Sequence, residues 1–188
     1  AVVAPVSVRD CIEVGRRAFE LAARYQTPVI VLSELALAQR TESLPMPRGR
    51  DLLLYPSWAG GEVDGKANGS LNGEYRRYVD TEDGISVRAL PGDPKGLHVV
   101  TGLEHDEYGH PNYDPEMHRR MSEKRRRKLE ALQHSVERHP DGWVERFGKE
   151  EARIGLLGWG STLGAAREAA RMAEQMGIDV KGLWVKLL

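Results

Sequence analysis

RIGLLGWGSTLGAAREAARMAEQMGIDVKGLWVKLL, residues 153–188, is the stretch from which the fold can be read. Arg153 to Trp159 is a short apolar run, as expected for a strand buried on both faces. Ser161 reads as the cap of an alanine-rich helix that runs to Met176. Gly177 ends that helix, and Val180 to Leu188 is the next strand. The unit is β-α-β, with a right-handed crossover expected. The start of the chain repeats the pattern. Ala1 to Ala4 reads as a strand, and Ser7 with Asp10 three residues later resembles a capping box. The helix that follows carries Cys11, Ala18, Phe19, Ala22 and Tyr25 at helical spacing, so Cys11 reads as core. Thr27-Pro28 breaks it, and PVIVL reads as a second strand buried on both faces. The fold class is therefore α/β.

The chain has 188 residues, a net charge of −1 and one cysteine. A near-neutral charge gives no overall field toward nucleic acid or membrane. A lone cysteine excludes an intramolecular disulfide framework and fits a reducing compartment. No apolar run approaches the ~20 residues a spanning helix needs, and no secretory leader opens the chain. The expected setting is cytoplasmic, with no membrane partner. Both ends fall inside apolar runs, so the chain is expected to be a piece of a longer polypeptide.

Residues 35–100 have another texture, interrupted by Pro45, Pro47, Pro56, Pro91, Pro94 and many glycines. GGEVDGKANGSLNG (60–73) is too polar to build a core. Hairpins are expected around Tyr75 to Val79 and Ile85 to Leu90 within a long excursion, and such excursions are usually functional. Asp114-Pro115-Glu116 carries the signature of a helix start: an Asp cap, Pro at the first position and an acid in the first turn. The helix is expected to run to His139-Pro140, with Met117, Met121, Leu129, Leu132 and Val136 as a thin apolar stripe.

Three constellations carry chemistry. TGLEHDEYGH (101–110) packs Glu104, His105, Asp106, Glu107 and His110 between Gly102 and Gly109, directly after the apolar HVV run, which reads as a strand end. A zinc site needs three or four convergent ligands; His105 and His110 are five apart with Gly109 between, which disfavours a helical ligand pair. Acid–base work needs carboxylates in a closed cleft; a solvated acidic loop is the plainer alternative. RRMSEKRRRK (119–128) is strongly basic. Without interleaved aromatics its footprint is electrostatic only, and Glu116, Glu123 and Glu130 stand at pairing distance along the helix. A solvated or subunit-facing helix is the expectation, with no nucleic-acid partner. GWGSTLG (158–164) has the look of a dinucleotide turn, and a bare βα turn is preferred.

PVIVLSE (28–34), YRRYVDTEDGISVRALPG (75–92), TGLEHDEYGH (101–110), DPEMHRRMSEKRRRKLE (114–130) and GWGSTLGAAREA (158–169) together resemble, in order, the alpha subunit of 2-oxoacid:ferredoxin oxidoreductases, particularly the 2-oxoglutarate type. Glu34 stands where that family usually has Asp, and residues 60–73 have no counterpart in its pattern. The resemblance implies that residues 1–36 are the last β-α-β of a thiamine-pyrimidine-binding domain. Residues 37–148 would be a connecting segment carrying an active-site loop (101–110) and a basic helix (114–139). Residues 149–188 would start a transketolase C-terminal-like parallel α/β domain. The implied reaction is oxidative decarboxylation of a 2-oxoacid to its acyl-CoA, with electrons passed to ferredoxin. Thiamine diphosphate with Mg2+, coenzyme A and an iron–sulfur cluster are implied, mostly held by other segments or by a beta subunit, with gamma and delta subunits as further candidate partners. The family's substrate motif and its thiamine-activating glutamate would precede Ala1, so this chain alone is expected to be inactive. Leu103, Glu104, His105, Asp106 and Glu107 are the substrate- or thiamine-proximal candidates, with no catalytic residue singled out among them. The rival reading is a non-catalytic scaffold for subunit docking.

Overall fold

The computed structural model describes residues 1–46, 75–89, 92–138, 140 and 142–188, as a mixed α/β chain. The Gly-rich 60–73 stretch and Leu90 lie outside the described residues. The described residues fall into two compact units: Ala1–Ala23, Pro28–Tyr55 and Val136–Leu188 in one, Arg24–Thr27 and Pro56–Ser135 in the other.

In the first unit, β1 (Val2–Val3) and β2 (Ile30–Val31) pair in parallel, Val2 opposite Ile30, across helix α1 (Val8–Tyr25). The expected cap is present. Ser7 Oγ accepts the Asp10 N–H at 3.1 Å, and Asp10 Oδ2 accepts the Val6 N–H at 3.0 Å, which satisfies helix-end donors that no backbone carbonyl reaches. The buried face of α1 runs through Val14, Ala18 and Leu21. Cys11 is exposed, contrary to its reading as core, and so is Phe19. For Phe19 the reason is angular: one residue turns a helix by about 100°, so it lies well round from Ala18; Cys11 shares the Ala18 face but sits in the first turns, ahead of the buried stretch that begins at Val14. β2 is not a doubly buried strand either: Ile30, Val31 and Leu32 are exposed. Its ladder partner among the described residues is β1 alone. A four-residue helix further on, α2 (Leu35–Ala38), buries Leu37.

The second sheet of this unit has the order β3-β5-β4, with β3 at Val144–Gly148, β4 at Ile154–Trp159 and β5 at Val180–Val185. β4 and β5 are parallel, as the β-α-β reading requires; β3 is antiparallel and was not expected. β5 is central and buries Val180 and Trp184. Trp184 packs with Val6 and Leu163, and Phe147, Leu156 and Ala166 close round them. Gly158 is where that ring needs room, since a Cβ there would overlap the Trp184 indole. β4 was expected to be buried but lies at the sheet edge, with Ile154, Leu157 and Trp159 exposed. Helix α4 (Leu163–Gln175) is entered through a 3-10 turn at Gly160–Thr162. Its N-cap is Thr162, not Ser161, and that side chain makes no capping bond; its hydroxyl donates back to the Trp159 carbonyl instead, at 3.2 Å. Gly177, at φ 77°, closes the helix as expected.

The two ends of this unit are stitched together. Ala4 N–H donates to the Lys186 carbonyl at 2.8 Å, and Leu188 N–H to Val2 at 2.9 Å. The Lys186 ammonium, 6% exposed, lies between Asp10 Oδ1 at 2.9 Å and Glu145 Oε1 at 2.8 Å. Burial opposes its charge, but the two carboxylates outweigh that and raise its pKa.

The second unit is organised by α3 (Pro115–Arg138). Its start is as expected: Asp114 Oδ1 accepts the Glu116 N–H at 3.1 Å, and Pro115 occupies the first turn. The stripe is not as expected. Met121 and Leu132 are buried, but Leu129 is exposed, and Lys124 is buried between them at 3% exposure. No strand forms in 75–89 or 92–100. The expected hairpins are replaced by turns whose segments meet through side chains. Tyr75 Oη donates to the Val87 carbonyl at 2.9 Å and accepts the Ala89 N–H at 3.0 Å. Ser86 Oγ donates to the Val79 carbonyl at 2.9 Å. The apolar HVV run before the loop is likewise not a strand, and Val99 and Val100 are exposed.

Candidate functional site

The acidic loop and the basic helix, read separately from the sequence, close on each other. Glu107 is 8% exposed. Its Oε1 takes Arg120 Nη2 at 2.6 Å and the Asp80 N–H at 3.2 Å, and its Oε2 takes Arg76. Glu104 is held by Arg125, with a second bond at 3.1 Å, and by His118 Nδ1 at 2.6 Å. Hydrogen bonds from Arg125 and then His118, working against burial, hold the Glu104 carboxyl down at about 2. Asp80 collects Arg120 Nε at 3.0 Å and Arg127. Arg120 therefore bridges two segments, the TEDGIS turn that follows Asp80 and the loop at Glu107. A guanidinium suits this because its planar fork donates in two directions at once.

The turn after Asp80 is built by Asp83, whose Oδ1 accepts from Ile85 N–H at 2.9 Å and Thr81 Oγ1 at 3.0 Å. Gly84, at φ 76°, lies so close to α3 that a Cβ would overlap the Lys124 carbonyl. Beneath it, Lys124 Nζ donates to Ser86 Oγ at 2.6 Å and Lys128 Nζ to the Gln26 carbonyl at 3.0 Å. Burial, with Lys128 and Arg77 nearby, lowers Lys124 to about 8; burial, with Arg77 and Arg125, lowers Lys128 to about 8. Two residues of the basic run do behave as a solvated face: Arg119 pairs with Glu116 and Glu123, and Arg126 with Glu130. The other five basic residues, Arg120, Lys124, Arg125, Arg127 and Lys128, are engaged within the unit, a role that local spacing along the helix does not reveal.

The loop itself is an Asp-nucleated turn. Asp106 Oδ1 accepts the Tyr108 N–H at 2.9 Å and the His110 N–H at 3.0 Å, while Asp106 N–H donates to the His110 carbonyl at 2.9 Å. Gly109 sits at φ 95°, where a Cβ would overlap the Val99 carbonyl, so only glycine fits. His105 is fixed on both sides. Its Nδ1 lies 2.8 Å from the Asp106 carbonyl, and its ring lies against Tyr78, with centroids 4.0 Å apart. A carbonyl only accepts, so Nδ1 carries the proton, and in the neutral form of the ring Nε2 is the acceptor. Leu103 is exposed at 53%.

The five candidates thus separate by role. Glu104 and Glu107 have their carboxylates occupied by arginines. Asp106 shapes the turn. His105 and Leu103 are the two whose chemistry is left for a ligand. Beside the loop runs a groove of about 490 Å3, lined by Tyr75, Lys95, Leu97, His98, Tyr108 and His110. Among the described residues no three His, Cys, Asp or Glu side chains converge as a metal site. In the first unit, a groove of about 760 Å3 runs past the end of β4, lined by Glu34, Leu156, Trp159, Ser161, Ala166 and Trp184. It lies where open parallel sheets bind ligands. Gly158 in the GWGSTLG turn, however, is accounted for by the Trp184 ring. The residues that sequence reading missed are Arg76, Asp80, Arg120, Arg125 and His118, which fix the loop. Their partners lie between 13 and 47 residues away, beyond the reach of any local spacing rule.

No family model matches the chain. Individual proteins do. It is 38% identical over 183 residues to 2-oxoacid:ferredoxin oxidoreductase 2, subunit alpha, of Aeropyrum pernix, covering 92% of this chain and 25% of that protein. It is 32% identical over 183 residues to the 2-oxoglutarate oxidoreductase subunit KorA of Mycobacterium tuberculosis, covering 96% of this chain and 26% of that protein. Among solved structures it resembles a 2-oxoglutarate:ferredoxin oxidoreductase from Magnetococcus marinus with 2-oxoglutarate, coenzyme A and succinyl-CoA bound. There the identity is 40% and the TM-score 0.80, over all of this chain and 30% of that one. The chain spans about a quarter of the length of these curated relatives.

Proposed function

We propose that this chain, a homologue of one region of the alpha subunits of 2-oxoacid:ferredoxin oxidoreductases, contributes an active-site loop to such an enzyme. The reaction is oxidative decarboxylation of a 2-oxoacid, with coenzyme A accepting the acyl group and ferredoxin the electrons. The substrate is 2-oxoglutarate, on the strength of the names of the Mycobacterium and Magnetococcus proteins. A beta subunit completes the assembly. The three-part division into the end of a pyrimidine-binding domain (1–36), a connecting segment (37–148) and the start of a transketolase C-terminal-like domain (149–188) belongs to this reading.

The residues present do not suit every group the enzyme would use. No metal-sized cluster of His, Cys, Asp or Glu forms among the described residues, and a single thiol cannot supply the four thiolates of a cluster. Mg2+, the diphosphate and the iron–sulfur centre are assigned to other segments or to the beta subunit. Thiamine, when bound, supplies the carbanion chemistry of decarboxylation; the protein supplies binding, orientation and electrostatics.

What this chain contributes is orientation. The observation that carries the reading is His105, whose Nδ1 is held by the Asp106 carbonyl and whose ring rests on Tyr78, which leaves Nε2 as the acceptor of its neutral form, close in sequence to the exposed, apolar Leu103. A fixed acceptor at one place and an apolar contact at the next would orient a substrate bearing a proton donor and a short carbon chain. Docking through the basic helix is the weaker reading, because Arg120, Arg125 and Arg127 are occupied by Glu107, Glu104 and Asp80. The test is steady-state turnover of His105→Ala in the assembled enzyme, alongside its melting temperature. A fall of ~10²-fold with little loss of stability is expected, the usual effect of removing one oriented polar contact. Near-normal turnover would remove the loop from the active site.

A further inference from the structure

We propose that Arg120 and Arg125 are positioning residues for this site: they clamp the loop onto α3 at Glu107 and Glu104 and so set where His105 points. The inference rests on the reading of the loop as an active-site element. His105 lies between the two clamped glutamates, one residue from Glu104 and two from Glu107. Each glutamate is fixed twice over. Glu107 meets Arg120 and Arg76, and its carbonyl accepts the Tyr78 N–H at 2.9 Å; Glu104 meets Arg125 and His118, and its carbonyl accepts the Asn112 N–H at 2.9 Å.

The first of these backbone bonds matters most, because Tyr78 carries the ring on which His105 rests. Glu107 therefore holds the loop to the helix through Arg120 and to the 75–80 segment, which carries the ring under the imidazole, through Tyr78 and Asp80. Arg120 also grips Asp80 directly, which fixes the distance between the Tyr78 segment and the helix. A lysine at 120 would keep the charge but lose the fork that reaches both carboxylates. Arg125 is the simpler clamp, a two-bonded pair with Glu104 at the loop's entrance.

Catalysis is sensitive to small displacements of an orienting group, so loosening either clamp acts on turnover through His105 rather than by removing a contact with substrate. The test compares Arg125→Glu, Glu104→Arg, their combination and Arg120→Lys in the assembled enzyme, with His105→Ala as reference. Each single variant is expected to lower kcat by about tenfold or more with KM within about twofold, and the charge-swapped pair to recover to within about threefold. Amide hydrogen exchange on this chain should show Tyr78 and Asn112 losing protection in the single variants, with Asn112 regaining it in the pair.

If His105→Ala abolishes turnover while Arg125→Glu and Arg120→Lys leave kcat and exchange unchanged, the clamps do not position the loop and the inference fails alone. If His105→Ala keeps turnover, the active-site reading of the loop fails instead. Should the charge reversals not fold, Arg120→Lys and its exchange at Tyr78 decide the matter by themselves. A lowered kcat without recovery in the swapped pair also overturns the Arg125 half, because a clamp made only of charge is restored by exchanging its ends.

Discussion

Around Trp184 the chain is held by apolar contact and a backbone ladder; around Glu107 it is held by charge. β5 has strands on both sides and buries its alternate side chains, so a residue there is fixed by volume. Among the described residues of 75–112 there is no strand, and the turns there are tied to α3 by arginines meeting carboxylates. Packing tolerates changes of pH and salt; clamps of charge respond to both. A chain that needs one rigid scaffold and one adjustable surface would divide its interactions in this way.

The sharpest way to separate the two is to remove one key residue from each. Trp184→Ala should cost about 3 kcal/mol or more, the usual loss for emptying a core of a large aromatic. Urea unfolding followed by the amides of β3 and β5 would measure it, and a cost under about 1 kcal/mol would show the cluster to be loosely packed. Glu107→Ala should cost about 2 kcal/mol, since it strips two guanidinium groups of a partly buried partner. Its signature should be lost exchange protection at Tyr78 and Asp80, with β5 amides unchanged.

pH should distinguish the regions next. Lys124 and Lys128 are lowered from 10.5 to about 8 in the fold. Above pH ~8 the folded chain has released protons that the unfolded chain keeps until ~10.5, so stability should rise with pH across that window. Lys124→Met should flatten the rise and stabilise the fold at neutral pH. On the acid side, Glu104 is lowered to about 2, so its contribution is present above its unfolded value and fades as pH falls from ~4.5 through 2. Chemical denaturation at stepped pH would show both slopes, and a flat profile from pH 8 to 10.5 would mean the lysines are solvated. The smallest effect belongs to the exposed helix face. Arg126→Ala should change stability by no more than about 0.5 kcal/mol, because exposed pairs along a helix contribute little.

What was legible in the sequence follows the same division. The Ser7–Asp10 and Asp114–Pro115 helix starts could be read because a cap is completed within four residues. The β4-α4-β5 unit could be read because periodicity survives its surroundings. β3 could not: Val144-Glu145-Arg146-Phe147 carries charges that become useful only opposite Lys186 and Arg167, far along the chain. The burial of Lys124 was hidden for a related reason. A lysine in a basic run reads as surface, and only the approach of Gly84 and Ser86 from some 40 residues away covers it. At the site, the cluster from Leu103 to Glu107 stood out by composition. The split between clamping glutamates and the Tyr78-backed His105 depended on Arg120, Arg125 and Tyr78, which no local pattern ties to the loop.

Lys186, seen earlier as a buried cation between Asp10 and Glu145, also sets an order in time. Asp10 and Lys186 are 176 residues apart, and the second unit is drawn from the chain between them. On the ribosome, β1, α1 and β2 emerge well before β5 and cannot complete their surroundings until it arrives. At typical synthesis rates of 5–20 residues per second, that leaves the first strands waiting roughly 10–30 s. During that interval Val3 and Ala4 lack their partners Leu187 and Lys186, and Asp10 lacks the Lys186 ammonium. The ties of α3 to Asp80, Glu104 and Glu107 need no such wait, because all of their residues precede the end of α3. Residues 1–31 are thus made well before their final neighbours, and the exposure of this unit to misassembly is concentrated there.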